Sequence, residues 1–176
     1  MFKQYEGNIS YPKIEEDVLR FWKENKIFEK SITTRDPKKP FTFYEGPPTA
    51  NGKPGIHHVM ARTLKDLVCR YKTLKGYHVN RKAGWDTHGL PVEIEVEKAL
   101  GIKSKSEIPE FGVAKYNKAC RDSVFTYLDL WEKMTTRMGY WINLDDPYVT
   151  CTNEYIESVW WASKTLFDKG LILQRL

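Results

Sequence analysis

The sequence predicts an α/β fold with a parallel β-sheet. Phe41, Phe43 and Tyr44 form a compact aromatic stretch that ends at Gly46-Pro47-Pro48, a pattern typical of a buried strand. Apolar residues then recur in steps of three or four, which indicates a long helix. Residues 77–81 alternate as a second strand does. Strand, helix and strand in this order form a βαβ unit, whose two strands run parallel.

The segment before the first strand is predicted to be helical. Pro12, followed by IEEDVLRFWKENKIFEK, begins one helix, because proline suits the first turn and apolar residues return at helical spacing. Residues 31–40, with charges and two prolines, form a loop that leads into the strand. We therefore expect residues 1–40 to be an N-terminal helical extension and residues 41–176 to be the sheet-containing domain.

The central helix is predicted to begin at the histidine pair His57-His58 and to stop at Gly76. Its apolar stripe is expected to face the core, and it comprises Met60, Leu64, Leu67, Tyr71 and Leu74. At ~100° per residue, an opposite, polar edge is expected to point away from the core, and it comprises His58, Arg62, Lys65 and Cys69.

The second half of the chain is predicted to be mostly helical. A short helix follows Pro91 and closes at Gly101, residues 102–112 form a polar connector, and one long helix spans residues 113–138. Residues 140–150 are irregular or extended. Thr152 or Asn153 caps a last helix that ends at Gly170, and residues 171–173 begin another apolar strand.

Composition allows one sizeable core and a soluble, globular chain. Lys and Arg number 28 against 23 Asp and Glu, and this excess of +5 suits an acidic partner or simply a solvated surface. The three cysteines are widely spaced, so neither a disulfide framework nor a zinc site is indicated, and a reducing cytoplasm fits them. No stretch resembles a signal peptide or a membrane span.

The loop between the first strand and the central helix has the layout of a nucleotide site. A helix N-terminus has unpaired N–H groups and a partial positive charge, both of which favour phosphate. Gly46, Gly52 and Gly55 allow the backbone to approach a ligand closely, and three prolines stiffen the loop. His57 and His58 lie at the helix start, where their imidazoles can meet the phosphates.

Two motifs, GPPTANG and the later GWDTHGLPVE, resemble the class I aminoacyl-tRNA synthetases, and specifically the isoleucyl-tRNA synthetases. The likeness extends from YPKIEEDVLRFWKENKIFEK to WWASKTLFDKGLI. It implies the N-terminal half of a Rossmann-like (HUP-type) parallel-sheet nucleotide-binding domain with helical additions, incomplete at its C-terminus. It also implies that zinc-binding, editing and anticodon-binding regions, and a second nucleotide motif, belong to the missing part of a longer enzyme.

One departure concerns the motif that closes the loop. The family normally has His-x-Gly-His, whereas this chain has Gly55-Ile56-His57-His58. Only His58 is carried over as the motif's own histidine. His57 either packs near the helix start or, with Gly55 opening space beside it, replaces the lost phosphate contact from a displaced position. The sequence looks more like the eukaryote-like, antibiotic-resistant branch, so the altered loop is also expected to exclude an isoleucyl-adenylate mimic such as mupirocin.

The resemblance implies the remaining site roles. His57 and His58 are the catalytic candidates, and with Gly52 and Gly55 they bind ATP, which brings Mg²⁺ with it. Gly46 and Pro47 form part of the isoleucine pocket, and Asp86 binds the substrate ammonium group; a helix N-cap is the alternative for Asp86, and a surface cap is the alternative for His58. Asn51 and His88 support the site, and Trp85 is expected to be core.

The implied function is ATP-dependent activation of isoleucine and its transfer to tRNA(Ile), with this chain as a catalytic fragment that is inactive alone. The complete enzyme is expected to be a cytoplasmic monomer. Two other readings remain: a stand-alone nucleotidyltransferase of the His-x-Gly-His type, and a non-catalytic synthetase-like fragment that binds tRNA or a protein.

Overall fold

The computed structural model describes residue 7 and residues 9–173. Its helices and strands follow one another in this order: α1 Tyr11–Glu24, α2 Ile27–Thr33, β1 Pro40–Tyr44, α3 Ile56–Leu74, β2 His78–Trp85, α4 Leu90–Leu100, a 3₁₀ turn Lys105–Glu107, α5 Ile108–Phe111, α6 Val113–Val124, α7 Leu128–Arg137, β3 Asn143–Val149 and α8 Asn153–Asp168.

The three strands form one parallel sheet in the order β1-β2-β3, which confirms the predicted α/β class and the βαβ unit. β1 pairs with β2 from Pro40 opposite His78 to Tyr44 opposite Lys82. β2 is longer than predicted and continues to Trp85, so the loop after it begins at Asp86 rather than at Ala83. The segment 140–150, left open between irregular and extended, contains β3.

The orientation predicted for α3 is wrong, because the helix packs with its polar edge inward. Arg62 is 4% exposed and Cys69 is fully buried, whereas the predicted core residues are more than half exposed: Met60, Leu64, Leu67, Tyr71 and Leu74. The buried guanidinium donates a hydrogen bond to the Thr135 hydroxyl and lies against aromatic rings. None of the residues that the structure describes covers the apolar stripe of α3.

Two helices predicted as continuous are interrupted. The first breaks at Lys26, which adopts a left-handed conformation with φ 50°, so α1 and α2 replace one helix. The helix predicted over 113–138 is broken between α6 and α7, where the Tyr127 N–H donates to the Ala50 carbonyl. The connector 102–112 contains the 3₁₀ turn and α5. A pattern of helical spacing persists across such breaks, which is why the sequence alone did not reveal them.

The prediction of a strand at residues 171–173 is wrong, because these residues adopt no regular secondary structure. Its continuation, residues 174–176, lies outside the described part. α8 is present as predicted, and of the two proposed caps Thr152 is the one used, with its hydroxyl accepting from the Tyr155 N–H at 3.4 Å. No described helix is both long enough and apolar enough to cross a membrane.

The core lies under the carboxyl ends of the strands and between the helices. One cluster joins Ala50, Trp85 and Trp131, and therefore connects the loop after β1, the end of β2, and α7. A second joins α4 and α6 through Val92, Val96, Tyr116 and Val124. The assignment of Trp85 to the core is confirmed, since it is 1% exposed.

Gly84 is the glycine whose small size the sheet requires. A Cβ atom at this position would lie 2.3 Å from the Tyr148 ring, far inside van der Waals contact. Tyr148 belongs to β3, and its hydroxyl donates to the Glu45 carbonyl at the end of β1. The glycine in β2 thus lets one tyrosine cross the sheet and tie all three strands together.

We expect Gly84→Ala to destabilise the fold by about 1–3 kcal/mol, because the methyl group must displace Tyr148 from its bond to Glu45. Chemical denaturation followed by circular dichroism measures the change in the free energy of unfolding. Gly52→Ala is the matched control, because no atom lies within 4 Å of a Cβ there. Equal stability of the two variants would contradict the proposed role of Gly84.

Candidate active site

The loop between β1 and α3 is held by hydrogen bonds to its backbone carbonyls. The Asp86 N–H donates to the Pro48 carbonyl at 2.9 Å, and the Tyr127 N–H donates to the Ala50 carbonyl at 3.2 Å. The indole Nε1–H of Trp131 donates to the Gly52 carbonyl at 2.8 Å. The carbonyls of residues 48, 50 and 52 are therefore held, the first by the end of β2 and the other two by α7. Contacts within the chain itself therefore hold the loop.

His58 lies in the first turn of α3, with one ring nitrogen already bonded. The Gly55 N–H donates to His58 Nδ1 at 2.9 Å, so this nitrogen is an acceptor. In the neutral imidazole the proton is then on Nε2, which is left as the donor. Partial burial, with the nearby charges of His57 and Arg62, lowers the pKa of His58 below its ordinary 6.5. At neutral pH the side chain is therefore an uncharged N–H donor at a helix N-terminus.

His57 is packed against His58 and over Gly55. The two imidazole centroids lie 3.8 Å apart at an angle of 43°. A Cβ at position 55 would come within 3.0 Å of His57 Cε1 and 3.1 Å of Nδ1. The glycine therefore makes the space that the His57 ring occupies. A side chain at position 55 would therefore crowd the His57 ring in its present position.

Asp86 lies directly after β2, across from the loop. Its carboxylate is 38% exposed, accepts a hydrogen bond from the Thr150 hydroxyl at 3.4 Å, and lies 3.8 Å from His88 Nδ1. The alternative that Asp86 caps the following helix is wrong, because α4 has Gly89 at its N-cap position. One carboxylate oxygen is thus held, while a substantial part of the group remains open to a cation.

The other predicted site residues line the loop. Gly46 is exposed, and a Cβ added there would meet only the Lys65 ammonium, at 3.6 Å, while Pro47 beside it is half-buried. The Asn51 side chain donates to the Pro91 carbonyl at 3.1 Å and so joins the loop to α4. Two cavities flank these residues: one of about 610 Å³ is lined by Asn51 and Gly52, and one of about 320 Å³ by His88.

Sequence reasoning missed Glu45, a carboxylate that is 2% exposed at the end of β1. It pairs with the Lys65 ammonium and accepts a hydrogen bond from the Tyr140 hydroxyl at 2.6 Å. Burial and this bond raise the pKa of Tyr140 well above its usual range, so the hydroxyl keeps its proton and remains a donor. The signal in the sequence was a glutamate directly before Gly46-Pro47, at the end of a predicted strand. The predicted burial of that strand is wrong, since the residues of β1 alternate between exposed and half-buried.

It also missed Arg62, which was predicted to point away from the core. The guanidinium lies 5.2 Å from the Trp131 ring and 5.7 Å from the Tyr140 ring, distances typical of cation–π contacts. Burial lowers the pKa of Arg62, and the nearby Glu45 carboxylate opposes that effect. This cation lies one helical turn beyond His58. The sequence signal for a buried cation was the i, i+4 pair of Trp131 and Thr135, which puts an aromatic ring and a hydroxyl on the same face of α7.

Within residues 7 and 9–173, no three His, Cys, Asp or Glu side chains come together as a metal-binding group. The donors assembled here are N–H groups of the loop and of His58, with an open carboxylate at Asp86. Such a set suits a phosphate on one side and a cation on the other.

We expect the imidazole of His58 to titrate below pH 6.5 and to be the Nε2–H tautomer when neutral. Protonation of Nδ1 removes the acceptor for Gly55, so the contribution of His58 to folding is present above pH 6.5 and is lost as the pH falls through its folded-state pKa. Nitrogen and carbon NMR of labelled histidine measures both properties. A pKa above 6.5, or an Nδ1–H tautomer, would contradict this geometry.

The chain was compared with known proteins. Residues 17–176 match the family described as "tRNA synthetases class I (I, L, M and V)". The isoleucine–tRNA ligase of Dehalococcoides mccartyi is 54% identical over 174 residues, 99% of this chain and 17% of the relative. Those of Clostridium kluyveri and Thermus thermophilus are 55% and 56% identical over 172 residues, 98% of this chain. The chain spans 16–17% of the length of these curated relatives.

A solved structure is also similar. The LeuRS of Agrobacterium radiobacter K84 (agnB2), in a ternary complex with tRNA and LeuAMS, superposes with a TM-score of 0.62 at 23% identity. The superposition covers 94% of this chain and 19% of that one. This likeness supports the fold. Because the family profile covers nearly the whole chain and the fold agrees with it, the chain belongs to the class I tRNA synthetases of the isoleucine, leucine, methionine and valine group.

Proposed function

We propose that this chain is part of the catalytic domain of an isoleucine–tRNA ligase, which activates isoleucine with ATP and transfers it to tRNA(Ile). The observation that carries the proposal is the bonded loop, which is tied to the backbone of Asp86 after β2 and leads to Gly55 and His58 at the start of α3. The 54–56% identity to isoleucine–tRNA ligases favours isoleucine over the other amino acids of the family.

The ATP side is assigned to the loop and the start of α3. Gly52 and Gly55 let the backbone approach the triphosphate, which enters with Mg²⁺ as part of the substrate. His58 donates from Nε2 to a phosphate oxygen, because Nδ1 is occupied by the Gly55 N–H. His57 offers a second imidazole from above Gly55. These donors stabilise charge that grows on the phosphate oxygens during the reaction.

The amino-acid side is assigned to Asp86, Gly46 and Pro47. The open carboxylate of Asp86 pairs with the substrate ammonium group; the Thr150 hydroxyl donates to it, and His88 lies nearby in a supporting position. Exposed Gly46 admits the backbone of the substrate, and Pro47 provides a rigid apolar wall. Asn51 supports the loop through the carbonyl of Pro91.

In the first step a carboxylate oxygen of isoleucine attacks the α-phosphorus of ATP, and the bond to pyrophosphate breaks. In the second, a hydroxyl of the terminal ribose of tRNA attacks the acyl carbon, and AMP leaves. The residues of this chain act mainly by positioning, since phosphoryl transfer needs orientation and charge stabilisation more than covalent help. Pairing Asp86 with the ammonium group fixes where the attacking carboxylate lies.

The chain alone is proposed to be inactive. The uncovered stripe of α3 is large and apolar, and the free edge of β1 has no partner strand among the described residues. Such surfaces require a covering partner. Since the relatives are about six times longer, the remaining catalytic domain of the same polypeptide is the proposed partner. The division into residues 1–40 and 41–176, the cytoplasmic location and the monomeric state belong to the same proposal.

The proposal is tested by ATP–pyrophosphate exchange with isoleucine. We expect activity from the full-length polypeptide and none from residues 1–176 alone. In the full-length protein, Asp86→Asn should raise the KM for isoleucine about 100-fold, because an ammonium group loses its charged partner. His58→Ala should lower kcat about 10²–10³-fold, through loss of one phosphate donor.

His78→Ala is the matched control, because His78 lies at the opposite end of β2 from the site. It should leave both constants unchanged. Wild-type constants in the Asp86 and His58 variants would refute the assignment. Exchange by residues 1–176 alone would favour the stand-alone nucleotidyltransferase, and absence of exchange in the full-length protein would favour a non-catalytic fragment.

In the sequence Gly55-Ile56-His57-His58, we propose that His57 replaces the phosphate contact of the histidine that the family has at position 55. We expect Gly55→His alone to impair ATP binding, because its Cβ collides with the His57 ring, and His57→Gly alone to remove an imidazole. The double variant Gly55→His with His57→Gly should recover the KM for ATP to within a few-fold of wild type. A double-mutant cycle in the exchange assay measures this coupling. Additive losses would contradict compensation.

The same variants test the proposed exclusion of an isoleucyl-adenylate mimic. If the rearranged imidazole hinders mupirocin, the double variant is inhibited at lower concentration than wild type. Equal sensitivity of both proteins would contradict that role.

A further inference from the structure

Trp131 contacts the segment between β1 and α3 at two points, Gly52 and His58, although it lies far from that segment in sequence. Its side chain is 1% exposed. The indole Nε1–H donates to the Gly52 carbonyl at 2.8 Å. The ring also meets the His58 imidazole edge to face, with centroids 4.6 Å apart at 65°. One rigid side chain therefore touches the glycine where the loop turns and the histidine where the helix begins.

The break between α6 and α7 places this residue. Tyr127 is the N-cap residue of α7, and its N–H donates to the Ala50 carbonyl. Trp131 comes one turn later on the same helix. Had α6 and α7 been one continuous helix, the Tyr127 N–H would have been used inside it. The interruption thus frees the Tyr127 N–H for Ala50, and the Trp131 indole one turn later donates to Gly52.

Trp131 also connects the two sides of the site. Its ring lies 6.3 Å from that of Trp85, the residue before Asp86, and Arg62 lies beside both rings. Trp131 has no charge and contributes no atom to the assigned substrate contacts. Any effect on catalysis must therefore act through the residues that Trp131 contacts, and the two that lie on the ATP side are Gly52 and His58.

We propose that Trp131 is a positioning residue for ATP: it orients the His58 imidazole and fixes the Gly52 carbonyl. The predicted effect on ATP binding rests on the proposed function, whereas the orientation of His58 by Trp131 does not. Rotation of His58 away from the phosphate would weaken ATP contacts, whereas the Asp86 carboxylate is held separately by the Thr150 hydroxyl. Loss of the Trp131 contacts should therefore raise the KM for ATP more than the KM for isoleucine.

The test is Trp131→Phe in the full-length polypeptide, which keeps an aromatic ring and removes the N–H donor. In ATP–pyrophosphate exchange we expect the KM for ATP to rise roughly 5- to 10-fold, the value of one ordinary hydrogen bond, with the KM for isoleucine within twofold of wild type. Trp141→Phe is the matched control, because Trp141 Nε1 has no hydrogen-bond partner among the described residues. It should leave both KM values unchanged.

The second readout is NMR of the nucleotide-free protein with labelled histidine and tryptophan. Trp131→Phe should shift the His58 imidazole signals, and Trp141→Phe should not. In the unsubstituted protein, the Trp131 indole N–H should exchange with solvent at least 100-fold more slowly than that of Trp160, which is 72% exposed. This measurement stands even if Trp131→Phe fails to fold.

Unchanged His58 signals in Trp131→Phe, or rapid exchange of the Trp131 indole N–H, would overturn the positioning role. Equal rises of both KM values, or the same changes in both tryptophan variants, would overturn it in favour of general loosening. If the wild-type protein lacks exchange activity, the proposed function fails, while the NMR readouts still decide whether Trp131 orients His58.

Discussion

The structure depends on hydrogen bonds that bind the backbone carbonyls of the loop after β1. Neighbours on two sides supply the donors: the end of β2 bonds Pro48, and α7 bonds Ala50 and Gly52. A loop rich in glycine and proline would otherwise lose much conformational entropy when it orders around a ligand. Here that ordering occurs on folding. The Nε2–H of His58 is left over as a donor for a ligand.

The inverted packing of α3 follows from what lies beneath the helix. Glu45, Lys65, Arg62 and Tyr140 form a polar network under the loop, with aromatic rings around the guanidinium. Burying a cation is costly unless hydrogen bonds and a nearby carboxylate offset the loss of water. The network meets those needs and leaves the apolar stripe of α3 outward. Among the described residues that stripe is therefore exposed rather than part of the core.

Local patterns predicted β1, the start of α3, β2 and the parallel pairing, because these depend on short-range periodicity and on turn residues. They also placed the loop and Asp86 at one edge of the sheet. They did not predict which face of α3 is buried, because hydrophobic spacing identifies a stripe but not the partner that covers it. Trp131 and Glu45 were missed for a related reason: their roles arise from contacts with residues distant in sequence, such as Gly52 and Tyr140.

The central claim is that the loop is ordered before any ligand binds. Hydrogen–deuterium exchange of the Asp86 and Tyr127 amides in the full-length, nucleotide-free polypeptide tests it most directly, because each amide donates to a loop carbonyl. We expect both amides to be protected to the same degree as those of β2, and to change little when ATP is added. Rapid exchange without nucleotide, slowed only by ATP, would contradict the claim and indicate a loop that folds around its substrate.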